Sequence, residues 1–428
     1  IRSMERNLKL IISSKEFLSE VFPQAVEGKP VKEKAKKVLD QITGAPPSKV
    51  SWEYLTKFFR DLSLPEIRRL YSEVEMNLPN KTIAVIDSIE GISSINNIDM
   101  NLLTFALHKD LAESSGASLI FVSEKNEPGP EDYITDGVIY LDNKIQEGRR
   151  IRNMYLNKLR GIEIFSSNYM FTLKDGKFYV FYPNLNYLKM HGSFEPIKNS
   201  EKHYSTGIRD LDEILDGGIE PSYFVLLDIG KDVTRDDYTL ITRLMYLNFM
   251  HNRMGILYIP PPGANPIKMK EDLCRYIPED IFFKRFRYMN YTAEESEYPY
   301  IVAAGSKDPM KVQQNVIKAM MDVSVDSEAV VHVYSLETLD AVRGYDLTIK
   351  DILNAVTTVK STKDIAIITS QSDDPLKEKI RSVADYHFRI ETINNVPVIY
   401  GIKPRTIYYI IEVDREKGFP NVKLIPML

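Results

Sequence analysis

The sequence predicts an α/β protein built as two tandem domains, each a mostly parallel sheet flanked by helices. Three observations carry this. Short apolar runs bounded by turn residues alternate with stretches of helical spacing, the pattern of a doubly wound parallel sheet. Three of these runs recur 247 residues later: Leu10–Ser14 aligns with Leu257–Pro261, Val85–Ser88 with His332–Ser335, and Phe121–Glu124 with Ile368–Gln371. A Gly217-Gly218 turn stands directly before the apolar run Tyr223–Leu227, as at the opening of such a domain.

At 428 residues, 43% apolar and 27% charged, the chain can bury two cores. A net charge of −5 provides no broad positive field, so nonspecific nucleic-acid binding is disfavoured. The single cysteine, Cys274, rules out an intramolecular disulfide and fits a reducing cytoplasm. No apolar run reaches the roughly 18 residues a membrane helix requires, so no membrane partner is expected.

Taken in order, Leu8–Ser13 reads as a short buried strand and Val31–Ile42 as a helix. Ser63-Leu-Pro-Glu66 is a capping box that opens a helix running to about Leu78. Thr82–Asp87 reads as a parallel strand covered on both faces, because it is apolar throughout and ends in an acid. A helix over Met100–Ala112 and a buried strand over Ala117–Ser123 follow. Met154–Lys158, Tyr169–Lys174 and Phe178–Phe181 close the half, with Asp175-Gly176 marking a hairpin turn. The expected domains are residues 1–190 and 200–428, joined near Pro183–Lys202. Subtracting the repeat offset from Ile1 lands on Asn248, so the first half as printed lacks a counterpart of Tyr204–Leu247, and truncation is favoured over a natural start at Met4.

The stretch Tyr204-Ser-Thr-Gly-Ile-Arg-Asp-Leu-Asp-Glu-Ile-Leu-Asp-Gly-Gly-Ile219 resembles the start of KaiC-like and RadA-like domains of the RecA family. The resemblance implies a phosphate loop after the first strand, G-x-x-x-x-G-K-[ST], whose glycines admit backbone N–H groups to the phosphates. No such motif occurs in the chain. The equivalent segment is Ile229–Asp236, with Arg235 at the lysine position and Asp236 at the hydroxyl position, and Gly230-Lys231 as a displaced remnant. Acids there repel a triphosphate, so no cofactor is expected in the C-terminal domain.

The resemblance also implies an acid that supports Mg²⁺ at the end of a strand, which is Asp87, followed by Ser88; the second half has Tyr334 there. Water-activating acids should follow the strand matching Leu10–Ser14, which makes Glu16 the candidate, against Pro262-Gly263 in the second half. Lys158 and Arg160, and likewise Lys403 and Arg405, match a Lys-x-Arg element that in such rings reaches a neighbouring subunit's nucleotide. The bland alternatives are a strand-end acid that caps a turn and charges on an exposed strand face. The expectation is therefore a regulatory or scaffolding protein of P-loop descent that forms a homo-oligomer or binds another protein. ATP and Mg²⁺ enter its N-terminal domain only if a preceding segment supplies a loop, and the C-terminal domain is a pseudo-ATPase. The alternative is a RadA-like mediator of DNA recombination or repair.

The six histidines show no metal-ligand spacing, and His332 reads as a core histidine. Cys274 reads as helical packing. Phe282–Tyr288 offers aromatic and basic residues for base stacking, against the simpler reading of an amphipathic strand.

Overall fold

A computed structural model describes residues 8–13, 65–125, 127–129, 131–182, 193–306, 308–371, 375–414, 419 and 421–428. The chain divides into two compact units, Ile1–Phe181 and Tyr182–Met427. Glu16, the Val31–Ile42 helix and Ser63 of the capping box lie outside the described residues.

The first unit contains β1 (Leu8–Ser13), α1 (Pro65–Asn77), β2 (Ile83–Asp87), α2 (Ile89–Asn96), α3 (Met100–Leu107) and β3 (Ser118–Ser123). It continues through α4 (Glu131–Ile134), β4 (Gly137–Gln146), β5 (Arg149–Leu159), β6 (Asn168–Thr172) and β7 (Tyr179–Phe181). Among the described residues its sheet runs β2-β3-β1-β4-β5-β6-β7. Only β2 and β3 pair in parallel, with Ile83 opposite Ser118. The expectation of a mostly parallel sheet therefore fails for the described part of this unit. The causes are β1, which runs antiparallel to both its neighbours, β3 and β4, and the antiparallel run from β4 to β7. The long β4–β5 hairpin was not foreseen, although Gly148 at φ +72° marks its turn. The Asp175-Gly176 turn is present, with both residues at positive φ between the antiparallel β6 and β7.

β2 corrects a second expectation. Ala84 and Ile86 are buried, but Ile83 is 53% and Val85 60% exposed, so one face of this strand packs and the other does not. The core beneath it is built from Ile86, Leu103, Leu107, Leu119 and Phe121.

The second unit contains α5 (Arg209–Ile214), β8 (Phe224–Ile229), α6 (Arg235–His251), β9 (Gly255–Ile259), α7 (Pro266–Cys274), α8 (Glu279–Arg285), β10 (Phe286–Asn290) and β11 (Ile301–Ala303). After α9 (Pro309–Ser324) come β12 (Val330–Ser335), α10 (Leu336–Arg343), α11 (Tyr345–Lys360), β13 (Ile365–Ser370) and α12 (Pro375–Val383). The chain ends in β14 (Tyr386–Ile393), β15 (Val396–Lys403), β16 (Tyr409–Asp414) and β17 (Asn421–Pro426). The sheet order is β11-β10-β9-β12-β13-β8-β14-β15-β16-β17. Every pairing from β11 to β14 is parallel, and the last three are antiparallel. β8, β9 and β13 are buried along their whole length, as apolar strands between two helical layers must be. One core lies under α6 and includes Ile241, Leu244 and Phe249; the other includes Val323, Leu336 and Ile368. Each such side chain contributes about 2 kcal/mol through burial.

The repeat holds for two strands. An offset of 247 carries β3, Ser118–Ser123, onto β13, Ile365–Ser370, and β2 onto the start of β12. It fails for β1. That strand lies between β3 and β4, the place that β8 takes between β13 and β14, so it is not the counterpart of β9. Glu16, outside the described residues, is thereby left without the strand match that made it the water-activating candidate.

Candidate functional site

The Ser205-Thr206-Gly207 loop that opens the second unit is held by one carboxylate. Asp212, buried on α5, accepts hydrogen bonds from the Ser205 hydroxyl, from the Thr206 backbone N–H at 2.7 Å and from the Thr206 hydroxyl at 2.6 Å. Burial raises its pKa, and those three bonds oppose the shift. Gly207 sits at φ +78°, where an added Cβ would lie 2.7 Å from the Asn248 Cβ, so the loop can press against α6 only with glycine there. The family-like motif thus fixes its loop against α6, whose Asn248 also donates to the Ser205 carbonyl at 2.9 Å.

The segment from β8 into α6 is the expected phosphate loop, and the backbone donors of Gly230, Val233 and Thr234 are already used. The Gly230 N–H donates to the Ile390 carbonyl of β14 at 2.7 Å, and the Val233 N–H to the Gly230 carbonyl at 3.2 Å. At the start of α6, Thr234 and Asp237 form a capping box, and Asp236 and Asp237 place two carboxylates where the helix dipole would otherwise hold an anion. Arg235 does not reach toward a phosphate. Its guanidinium donates to the carbonyls of Pro262, at 2.9 Å, and Gly263, at 3.2 Å, pinning the turn after β9.

Beside this loop, at the carboxyl ends of β8, β13 and β14, is a cleft of about 190 Å³ lined by Asp228, Gly230, Lys231, Gln371, Lys377 and Arg389. Its cations face an internal carboxylate. Asp228 is 2% exposed and lies 2.6 Å from Lys377, 3.6 Å from Arg389 and 3.7 Å from the buried His387. Burial alone would raise its pKa, but hydrogen bonding from His387 and Lys377, with the charges of Lys377 and Arg389, holds it below the usual carboxylate range. Sequence reasoning passed over Asp228. The signal was present as a lone acid inside the apolar run Phe224–Ile229, which must find cationic partners if the strand is buried.

In the first unit Asp87 ends β2 as an exposed carboxylate, and the Ser88 hydroxyl accepts from the Gly91 N–H at 3.2 Å as the cap of α2. Two further glutamates, also unforeseen, hold equivalent places in the two units. Glu90 accepts from the Ser123 hydroxyl and from the Glu124 N–H; Glu337, 247 residues on, accepts from the Ser335 hydroxyl and the Gln371 N–H. Each ties the helix after one strand to the end of the next strand.

The lysines of the two Lys-x-Arg pairs bond within their own units. Lys158 donates to the carbonyls of Asp132 and Tyr133 at the end of α4, and Lys403 to those of Arg381, Ser382 and Ala384 at the end of α12. Burial lowers the Lys158 pKa, as does the adjacent Arg160 charge. Arg160 bonds the Tyr133 carbonyl and stands 3.4 Å from Asp136 with its side chain 46% exposed, while Arg405 is exposed.

The Phe282–Tyr288 run does not present rings for stacking. Phe282 and Phe286 are fully buried, and Arg285 donates to the carbonyls of Val325 and Asp326 after α9. Its first half is helical, which corrects the reading as a strand. His332 lies buried in β12 with Nε2 3.6 Å from Asp364, and Cys274 is half-buried. Among the described residues no helix is long and apolar enough to cross a membrane.

Residues 65–185 match the family model described as KaiC, an ATPase, and residues 193–298 match that described as GvpD basic region 2. Protein GvpD2 of Halobacterium salinarum is 29% identical over 336 residues, which covers 74% of this chain and 67% of the relative. Protein GvpD1 of the same organism is 27% identical over 378 residues, 74% of this chain and 70% of its own. These matches run to KaiC and GvpD and away from the RadA-like alternative, which is set aside. The chain thus joins a KaiC-like domain of RecA fold to a GvpD-like region, and over 74% of its length it is similar to two GvpD proteins.

Proposed function

We propose that this is a KaiC-like regulatory or scaffolding protein whose second unit has lost triphosphate chemistry and serves as an interaction module for a protein partner. One observation carries the reading: the Asp228 carboxylate fills the cationic cleft in which a triphosphate would be recognised, while the Gly230, Val233 and Thr234 N–H groups of the loop are spent internally. The residues at that loop do not fit MgATP, since acids take the places of the cradle and of the hydroxyl ligand.

In the first unit, Asp87 is an exposed carboxylate at a strand end and fits an Mg²⁺-supporting role. Bound there, the ion would neutralise phosphate charge. Ser88 supports the turn that follows. Lys158 and Lys403 fix helix ends, which leaves the exposed Arg160 and Arg405 as the groups able to cross an interface between copies of the chain.

The test is a titration of a fluorescent ATP analogue with Mg²⁺ into the full chain. At most one site per chain is expected, unaffected by the double substitution Lys231→Ala with Arg235→Ala and weakened by Asp87→Asn. Two sites per chain, or loss of binding in the double variant, overturns the account of the second unit. Unchanged binding in Asp87→Asn overturns that of the first.

A further inference from the structure

We propose that the second unit carries a small-molecule site between α6 and α7, shaped for a compact amphipathic monoanion with an aromatic body and a single carboxylate or sulfonate. The cavity there is about 340 Å³, larger than the cleft beside the nucleotide loop and within the range of ligand pockets. It opens because the turn after β9 carries the small residues Gly263 and Ala264, and Arg235 holds that turn in place through two carbonyls.

Its lining has two chemistries. Tyr238, Thr242 and Tyr246, spaced four apart on α6, form one wall with Tyr258 of β9, and Met269 and Leu273 of α7 form the other. Tyr246 and Tyr258 meet edge to face at 5.6 Å, which leaves an aromatic surface for a flat apolar body. Tyr258 is only 9% exposed, and among the described residues its hydroxyl has no hydrogen-bond partner. That hydroxyl borders the cavity and is not sealed from solvent, so a ligand acceptor would take the place of water there. Burial raises its pKa, so the hydroxyl keeps its proton and donates.

Charge sets the rest of the specificity. Arg243 and Lys268 line the same cavity, and among the described residues neither side chain has an ion-pair partner. One anionic group can therefore be neutralised. Asp236 and Asp272 on the same walls disfavour a second or third negative charge, which excludes a polyphosphate. This site stands independently of whether the first unit binds ATP.

The probe for the test is 8-anilino-1-naphthalenesulfonate, an aromatic monoanion of suitable size, titrated into the full chain and read by its fluorescence. One saturable site is expected. Tyr258→Phe and Arg243→Gln should each weaken it about tenfold, the loss of about 1.4 kcal/mol, and Met269→Trp should abolish it by filling the space. Millimolar MgATP should not displace the dye. If Met269→Trp does not fold, the two polar substitutions decide. Dye binding unchanged in the folded Tyr258→Phe and Arg243→Gln variants, or displaced by MgATP, overturns the proposal.

Discussion

The Asp228 carboxylate and the Lys377 ammonium meet at 2.6 Å with side chains only 3% and 10% exposed, and this pair lies at the carboxyl end of the second unit's first strand. Removing one partner of a buried pair strands the other charge. Lys377→Met should lower stability by about 2–3 kcal/mol, with Arg389 and His387 limiting the loss, as read from the urea midpoint by far-UV circular dichroism. Because the folded Asp228 carboxyl lies below its ordinary value, its contribution is present above about pH 4. It is lost as pH falls through the folded value. Asp228→Asn should therefore be less stable than the parent at neutral pH and lack part of the parent's destabilisation below about pH 4.

Gly207 and Asp212 make the opening loop of the second unit sensitive to small changes. At φ +78°, with an added Cβ only 2.7 Å from Asn248 and 2.9 Å from the Leu244 carbonyl, Gly207→Ala should cost about 3 kcal/mol. Asp212→Ala, which frees three donors, should cost about 2–3 kcal/mol. Thermal unfolding measures both. A change under about 0.5 kcal/mol in either would contradict the geometry described.

Glu90 and Glu337 should behave alike, because they hold equivalent joints. Substitution of either by Ala should cost about 1–2 kcal/mol. Hydrogen exchange should quicken locally at the Glu124 amide in one case and the Gln371 amide in the other. Quickening across both units at once would mean that the effect is not local.

Lys158→Ala should destabilise α4 and the hairpin after it by about 1 kcal/mol, and Lys403→Ala should do the same after α12, since each removes a charge from helix-terminal carbonyls. Denaturation measures this. A loss of nucleotide affinity with stability unchanged would instead place Lys158 at a phosphate.

Much of the scaffold was legible because local patterns carried it. The strands over 118–123 and 365–370, the Asp175-Gly176 turn and the Gly217-Gly218 entry into β8 follow from apolar runs and turn residues within a few positions of each other. That Ile229–Asp236 does not match G-x-x-x-x-G-K-[ST] was equally plain, since it is a matter of residue types at fixed spacing. The candidate site was legible only in part. Arg235 was placed at the lysine position, but spacing does not reveal that its guanidinium grips Pro262 and Gly263.

Residue order by itself determined that the protein is α/β and that no G-x-x-x-x-G-K-[ST] motif stands in the chain, and it offered three runs aligned at one offset. Only the tertiary structure decided that β1 lies between β3 and β4 and runs against both, because strand direction and neighbour are set by pairing across the sheet. Tertiary structure likewise brought Asp228, Lys377, His387 and Arg389 together from three separate elements. A buried carboxylate must collect cations from wherever the fold supplies them, and no local pattern in the chain records which ones those are.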